Sequence, residues 1–209
     1  MDDSNLKCGI NDKDFVVLGY NKYDYKNDTY IIKLLKDYKK VQFDNNYDDS
    51  IDWLPEGITH LYLGSHFNNS LDNLPSTIKH IIIKKYNCAG NTTFNMPLNK
   101  LPQGLETLEI CYNTKFNKPL NNLPNSLKKL CMSCFNYKYT LNNLPDSLEY
   151  ISIKFFDYIK TTVLPKNLKI FDLADWDYIN SINYITALKI LLVNYPNFKF
   201  MHNDIIINL

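Results

Sequence analysis

The sequence predicts a repeat solenoid, and three observations predict it. The dipeptide Leu-Pro occurs six times, ending at Pro55, Pro75, Pro102, Pro124, Pro145 and Pro165, so that successive prolines lie 20, 27, 22, 21 and 20 residues apart. Counted from each proline, the third, sixth and eighth residues are apolar without exception: Ile58, Leu61, Leu63; Ile78, Ile81, Ile83; Leu105, Leu108, Ile110; Leu127, Leu130, Met132; Leu148, Ile151, Ile153; and Leu168, Phe171, Leu173. Upstream, an aromatic ring stands eight residues before each of the first five prolines (Tyr47, Phe67, Phe94, Phe116, Tyr137), and an aliphatic stands four before (Ile51, Leu71, Leu98, Leu120, Leu141). A unit this short cannot enclose its own apolar face. Stacked copies bury a continuous strip instead.

The sixth and eighth residues are two apart, so on an extended strand they share one face. The third reaches the same interior from the turn that leads into the strand. Proline has no backbone donor and pre-sets its own φ, which suits the segment entering a strand. Three residues before each proline lies a polar column: Asp52, Asp72, Asn99, Asn121, Asn142 and Thr162. Stacked Asx side chains there are expected to bond backbone groups of neighbouring coils. The 27-residue interval adds about six residues around positions 86–93, and insertions in solenoids map to loops.

The ends are less regular. Phe15-Val16-Val17-Leu18 reads as a strand, and residues 30–38 read as a short helix or another coil. Tyr38, Val41 and Phe43 fit the third, sixth and eighth positions, so the array is placed from residue 38. Leu188, Leu191 and Val193 fit again, with Ile185 where proline would stand. The organisation expected is therefore a cap over 1–37, a solenoid of about seven or eight coils over 38–193, and a cap over 194–209, since solenoids shield their open ends.

Composition narrows function mainly by exclusion. The 23 basic and 22 acidic residues leave a charge of +1, and every basic residue is Lys. Nucleic-acid binding is not expected without a basic excess or the bidentate fork of Arg. No run of 18 apolar residues marks a membrane span, and the start, Met1-Asp2-Asp3-Ser4, lacks the basic-then-apolar order of a secretory signal. Five unevenly spaced cysteines fit free thiols in a reducing, cytoplasmic compartment better than a disulfide framework.

Phe94-Asn95-Met96-Pro97-Leu98-Asn99-Lys100-Leu101-Pro102 and Phe116-Asn117-Lys118-Pro119-Leu120-Asn121-Asn122-Leu123-Pro124 resemble the FNIP repeat, a leucine-rich-repeat relative seen in social amoebae and in large DNA viruses of amoebae. Phe67-Asn68-Asn69-Ser70-Leu71 is a third copy and Tyr47-Asp48-Asp49-Ser50-Ile51 a weaker one. Tyr137-Lys138-Tyr139-Thr140-Leu141 keeps only the ring and the leucine. The sixth unit has Asp157 and Thr161 at those positions. The bias to Asn, Lys, Ile and Tyr suits an AT-rich genome such as those of giant amoebal viruses; in a virus the compartment is the host cytoplasm.

The resemblance implies a leucine-rich-repeat-like solenoid with a parallel β-sheet on its concave face, turns on the convex side and few helices. It implies a non-enzymatic role in protein–protein interaction, with no cofactor. The alternative is an adaptor recruiting substrates to a ubiquitin ligase, although no F-box pattern precedes the coils. In that geometry the fifth, seventh and ninth residues after each proline face the concave surface. The candidates for binding a protein partner are His60, Tyr62, His80, Lys84, Glu109, Lys129, Tyr150, Lys154 and Asp172, with Gly64 at the same surface.

Cys131-Met132-Ser133-Cys134 has Cys-x-x-Cys spacing, but no second ligand pair follows and the strand context does not suit a redox pair. Cys111 is placed beside Cys131 on the next strand, and His60 beside His80. Two histidines alone make a poor metal site.

Overall fold

A computed structural model describes residues 8–11, 15–19, 24–84, 92–134, 137–153, 163–173, 193, 199–202 and 205–207. Its strands are β1 (Cys8–Asn11), β2 (Phe15–Leu18), β3 (Lys40–Phe43), β4 (His60–Leu63), β5 (His80–Ile83), β6 (Thr107–Thr114), β7 (Lys129–Cys134), β8 (Tyr150–Ile153), β9 (Ile170–Leu173), β10 (Lys199–His202) and β11 (Ile205–Ile207). They form one 11-stranded sheet in strict sequence order. From β2 to β10 every pairing is parallel. Antiparallel partners close the two ends: β1 on β2 and β11 on β10. This is the leucine-rich-repeat-like solenoid that the sequence predicts.

From the second Leu-Pro unit onward each coil enters its strand through a tight turn. The N–H of the third residue after proline donates to the proline carbonyl, as in Ile78 to Pro75 at 3.2 Å and Leu105 to Pro102 at 3.0 Å. Proline therefore serves the turn as an acceptor, and its missing donor costs nothing. The strands then read half-buried, buried, half-buried, buried along β2 to β5. Every member of the apolar triplets whose side chain is described lies in one core. Behind the sheet the upstream rings stack coil upon coil. Phe67, Phe94, Phe116 and Tyr137 lie 6.2, 6.0 and 6.3 Å apart between successive centroids, nearly parallel.

The polar columns lock neighbouring coils in register. The predicted column three residues before proline bonds forward to the next coil in its later units. Asn122 Nδ2 donates to Asn99 Oδ1 at 3.4 Å, Asn143 Nδ2 to Asn121 Oδ1 at 3.0 Å, and Val163 N to Asn142 Oδ1 at 2.9 Å. A more continuous ladder runs seven residues before proline. There the backbone N–H of each coil donates to the Asx side chain of the coil before: Asn68 to Asp48 (2.7 Å), Asn95 to Asn68 (2.8 Å), Asn117 to Asn95 (2.9 Å) and Lys138 to Asn117 (3.0 Å). These amides lie beyond the strand ladder, and the Asx column supplies the acceptor they lack.

The N-terminal side is built around the helix α1 (Thr29–Asp37). Asp28 caps it by accepting from Tyr30 N at 2.8 Å and Ile31 N at 3.1 Å. Ile31 and Leu35, one turn apart, bury its apolar stripe. Val41 and Phe43 point inward from β3, as their spacing predicts.

Three expectations are corrected. Val193 is helical and 81% exposed, not inward; the strand after β9 is Lys199–His202. Gly64 is buried, because the chain leaves the sheet after the eighth residue and presses against the backbone of Asp44 and Asn45. Cys131 stands opposite Glu109, not Cys111, since strand neighbours share the same count from their prolines. Within the lengthened interval, residues 85–91, together with Lys154, Asp157, Thr161, Leu188 and Leu191, lie outside the described residues. Past the insertion the coil resumes at Thr93, whose N–H and Oγ1 both donate to Ser65 O at 2.8 and 3.1 Å.

Candidate functional site

The fifth and seventh residues after each proline alternate with the core positions and form the open face of the sheet. Parallel pairing sets them in two rows. One runs Phe15, Lys40, His60, His80, Thr107, Lys129, Tyr150, Ile170; the other runs Val17, Gln42, Tyr62, Ile82, Glu109, Cys131, Ser152, Asp172. His60, Tyr62, His80, Glu109, Lys129, Tyr150 and Asp172 all stand here, half-buried by their strand neighbours. Lys84 lies one residue past β5, donating its N–H to Leu63 O at 3.0 Å. Sequence reasoning passed over Phe15, Lys40 and Gln42. Counting five and seven from the proline-like register of Val41 and Phe43 identifies the last two.

The face divides into two halves. On β6 to β9 charged and polar groups pair with one another. Lys129 Nζ meets Glu109 Oε1 at 2.6 Å and lies 5.4 Å from the centre of the Tyr150 ring. Tyr150 Oη and Ser152 Oγ donate to the same Asp172 oxygen at 2.7 and 3.1 Å, while Asp172 Oδ1 is buried without a hydrogen-bond partner among the described residues. Burial, then donation to Asp172 and the charge of that carboxylate, push the Tyr150 phenol well above its usual range.

On β2 to β5 the face is aromatic. Phe15 and Tyr62 pack with centroids 4.9 Å apart, and the Lys40 ammonium sits 5.2 Å from the Phe15 centroid. His60 and His80 are neighbours as expected, stacked at 4.2 Å, and His60 also lies parallel to Tyr62 at 6.4 Å. Burial, then the proximity of His80 and Lys40, lowers the His60 imidazole to about 4. Burial also lowers His80, against a partial opposing pull from Glu106 and Glu109. Both shifts favour the neutral ring at pH 7.

Beside the face, the fourth residue after proline forms an exposed charge row of alternating sign. Glu106 reaches Lys79 at 3.2 Å and Lys128 at 3.4 Å, and Glu149 reaches Lys169 at 2.6 Å. Such solvated pairs set register more than stability.

Among the described residues, no group of three or more His, Cys, Asp or Glu side chains could hold a metal ion. Burial raises the Cys134 thiol to about 12, which removes the thiolate a nucleophile needs. No helix among the described residues is long and apolar enough to cross a membrane.

The FNIP Repeat family matches residues 47–86 and 116–156. Comparison with curated proteins yields no match. Among solved structures the chain is similar to CroV588, a giant-virus protein described as a novel circular LRR protein structure. The identity is 26% and the TM-score 0.47, over 68% of this chain and 24% of that one, so this chain spans about a quarter of that protein's length. The chain thus carries FNIP repeats, in two separate stretches of its solenoid.

Proposed function

We propose that this protein is a non-enzymatic interaction module that binds a protein partner on the open face of its sheet. The repeat family and the leucine-rich-repeat-like fold support an interaction role. The observation that carries the choice of face is its two-row surface. Aromatic and polar side chains there are half-buried and held in fixed register by parallel strands, so a partner meets anchors that have already lost most of their conformational freedom. The interior columns are consumed by packing, and the charge row is paired to itself.

Nothing in the geometry favours a ubiquitin-ligase adaptor. The described residues ahead of the first proline-led coil form strands, a short turn and α1, all continuous with the solenoid.

The test is affinity capture from an amoebal lysate with the unaltered chain and with a variant carrying Tyr62→Ala, Glu109→Ala and Tyr150→Ala together. A partner recovered by the first and lost by the second is the expected outcome. Equal recovery by both refutes this face. The three positions point away from the core strip, so the variant is expected to stay folded, with a melt lowered only by the loss of the Tyr150–Asp172 bond, the Glu109–Lys129 pair and the Tyr62–Phe15 contact.

A further inference from the structure

The two halves of the open face differ in which hydrogen-bonding groups are already used. On the β6–β9 half, Glu109 is held by Lys129 at 2.6 Å, and Asp172 accepts from Tyr150 and Ser152. On the β2–β5 half the polar groups are the Lys40 ammonium, the Gln42 amide, the Tyr62 phenol and two neutral imidazoles. Lys40 lies on Phe15, His60 takes only the Thr59 hydroxyl at 2.8 Å, and neither Tyr62 Oη nor the His80 ring nitrogens have a hydrogen-bond partner among the described residues. No open-face position of β2 to β5 is a carboxylate. Among the described residues the carboxylates that act on His80, Glu106 and Glu109, are each paired with lysines.

Lys40, His60 and His80 follow one another across three adjacent strands, so their donors span about 10 Å at the usual strand spacing. Phe15, Tyr62 and Ile82 supply the apolar ground around them. The Lys40 ammonium, which can only donate, stands with the unpartnered Tyr62 hydroxyl and His80 ring on a half-buried apolar ground, and together they define the chemistry of what covers them. An apolar segment alone would strand the lysine and imidazole donors, and a basic one would face Lys40.

We infer that the β2–β5 half of this face is the recognition site and that it takes a protein segment presenting an Asp or Glu carboxylate beside an apolar or aromatic side chain. This rests on the reading of the open face as a partner surface. The carboxylate meets Lys40, Tyr62 and His80; the apolar neighbour packs on Phe15 and Ile82.

The test uses a phage-displayed random dodecapeptide library selected on the full chain, followed by fluorescence polarisation of the enriched peptides. The expected peptides carry Asp or Glu next to an apolar residue. Lys40→Ala combined with His80→Ala weakens them roughly tenfold or more, and Lys166→Ala, off the open face, leaves them unchanged. Replacing the peptide's Glu by Gln weakens binding similarly and requires no change to the protein, so the result does not depend on how the variants fold. Failure to enrich carboxylate-bearing peptides, or an unaltered affinity on either change, overturns the inference. Peptides that depend on Tyr150 and Asp172 instead sink the inference while leaving the open face as the partner surface. Peptides indifferent to every substitution on the face sink both.

Discussion

Asn95 offers the sharpest test of what holds the coils together. Its Oδ1 accepts the backbone N–H of Asn117 at 2.9 Å, and its own N–H donates to Asn68 Oδ1 at 2.8 Å, so it is the middle rung of a ladder across three coils. Asn95→Ala keeps the second bond and abolishes the first, leaving the Asn117 amide without an acceptor. A net hydrogen bond contributes about 1 kcal/mol, and an orphaned donor costs about 1–3 kcal/mol. Asn95 is half-exposed, so water recovers part of this and about 1–2 kcal/mol is expected. For a chain of this size that corresponds to roughly 2–8 °C in melting temperature. Asn95→Asp retains the acceptor, as Asp48 does for Asn68 at 2.7 Å, and is expected to cost little. Hydrogen exchange isolates the rung: the Asn117 amide should lose roughly tenfold of its protection in the alanine variant and keep it in the aspartate variant. If the two variants exchange alike at Asn117, the ladder does not stabilise the stack and the reasoning fails.

A side chain at Gly64 has nowhere to go, because its Cβ would run into the backbone of Asp44 and Asn45, whereas at Gly104 the nearest atom is Ser76 O at 3.7 Å. Gly64→Ala should therefore destabilise by about 1–3 kcal/mol in denaturant titration while Gly104→Ala is tolerated, and equal midpoints would count against the coil contact. Acid should weaken the fold before the carboxylates titrate. His60 and His80 have folded values below the ordinary 6.5, so the unfolded chain binds more protons than the folded one as pH falls from about 6.5 toward 4; their contribution is complete above that window and is lost within it. Glu106, Glu149 and Asp146 are lowered by lysine partners, and their contribution is lost only at lower pH. A His60→Gln, His80→Gln double variant should show a smaller fall in melting temperature between pH 7 and pH 5 than the unaltered chain; an identical fall would remove the imidazoles from the explanation.

The interior was legible in the sequence because burial leaves little choice. A column that faces the core in every coil must be apolar in every coil, so Leu61, Ile81, Leu108, Leu130, Ile151 and Phe171 announce their own register. The Asp48–Asn117 ladder was harder to read. A polar column looks the same whether it bonds the next coil or only solvent, and the column at Asp52 and Asn99 has the same appearance. Gly64 misled because side-chain alternation was carried one residue past the end of the strand, where the chain already turns onto its neighbour. Val193 belonged to a triplet with no proline and no upstream ring, and without those two marks in the sequence the spacing alone carried no register. Cys111 and Cys131 fail as neighbours by two residues of count, which on a strand is one full repeat of the pleat.

The repeat also limits where recognition can reside. An apolar ring or an amide stacked on its own copy in the next coil gains from repetition, as the Phe67–Phe94–Phe116 stack and the Asn ladder do. A charge stacked on its copy is repelled. The exposed row beside the sheet accordingly alternates, Lys79, Glu106, Lys128, Glu149, Lys169, and binds itself. Neither kind of column can carry information that differs from coil to coil. Only the open face escapes both constraints: its rows read His, His, Thr, Lys, Tyr and Tyr, Ile, Glu, Cys, Ser from β4 to β8, with no period at all. The motif that identifies the family therefore lies inside the coil, and the side chains a partner meets are those the motif leaves free.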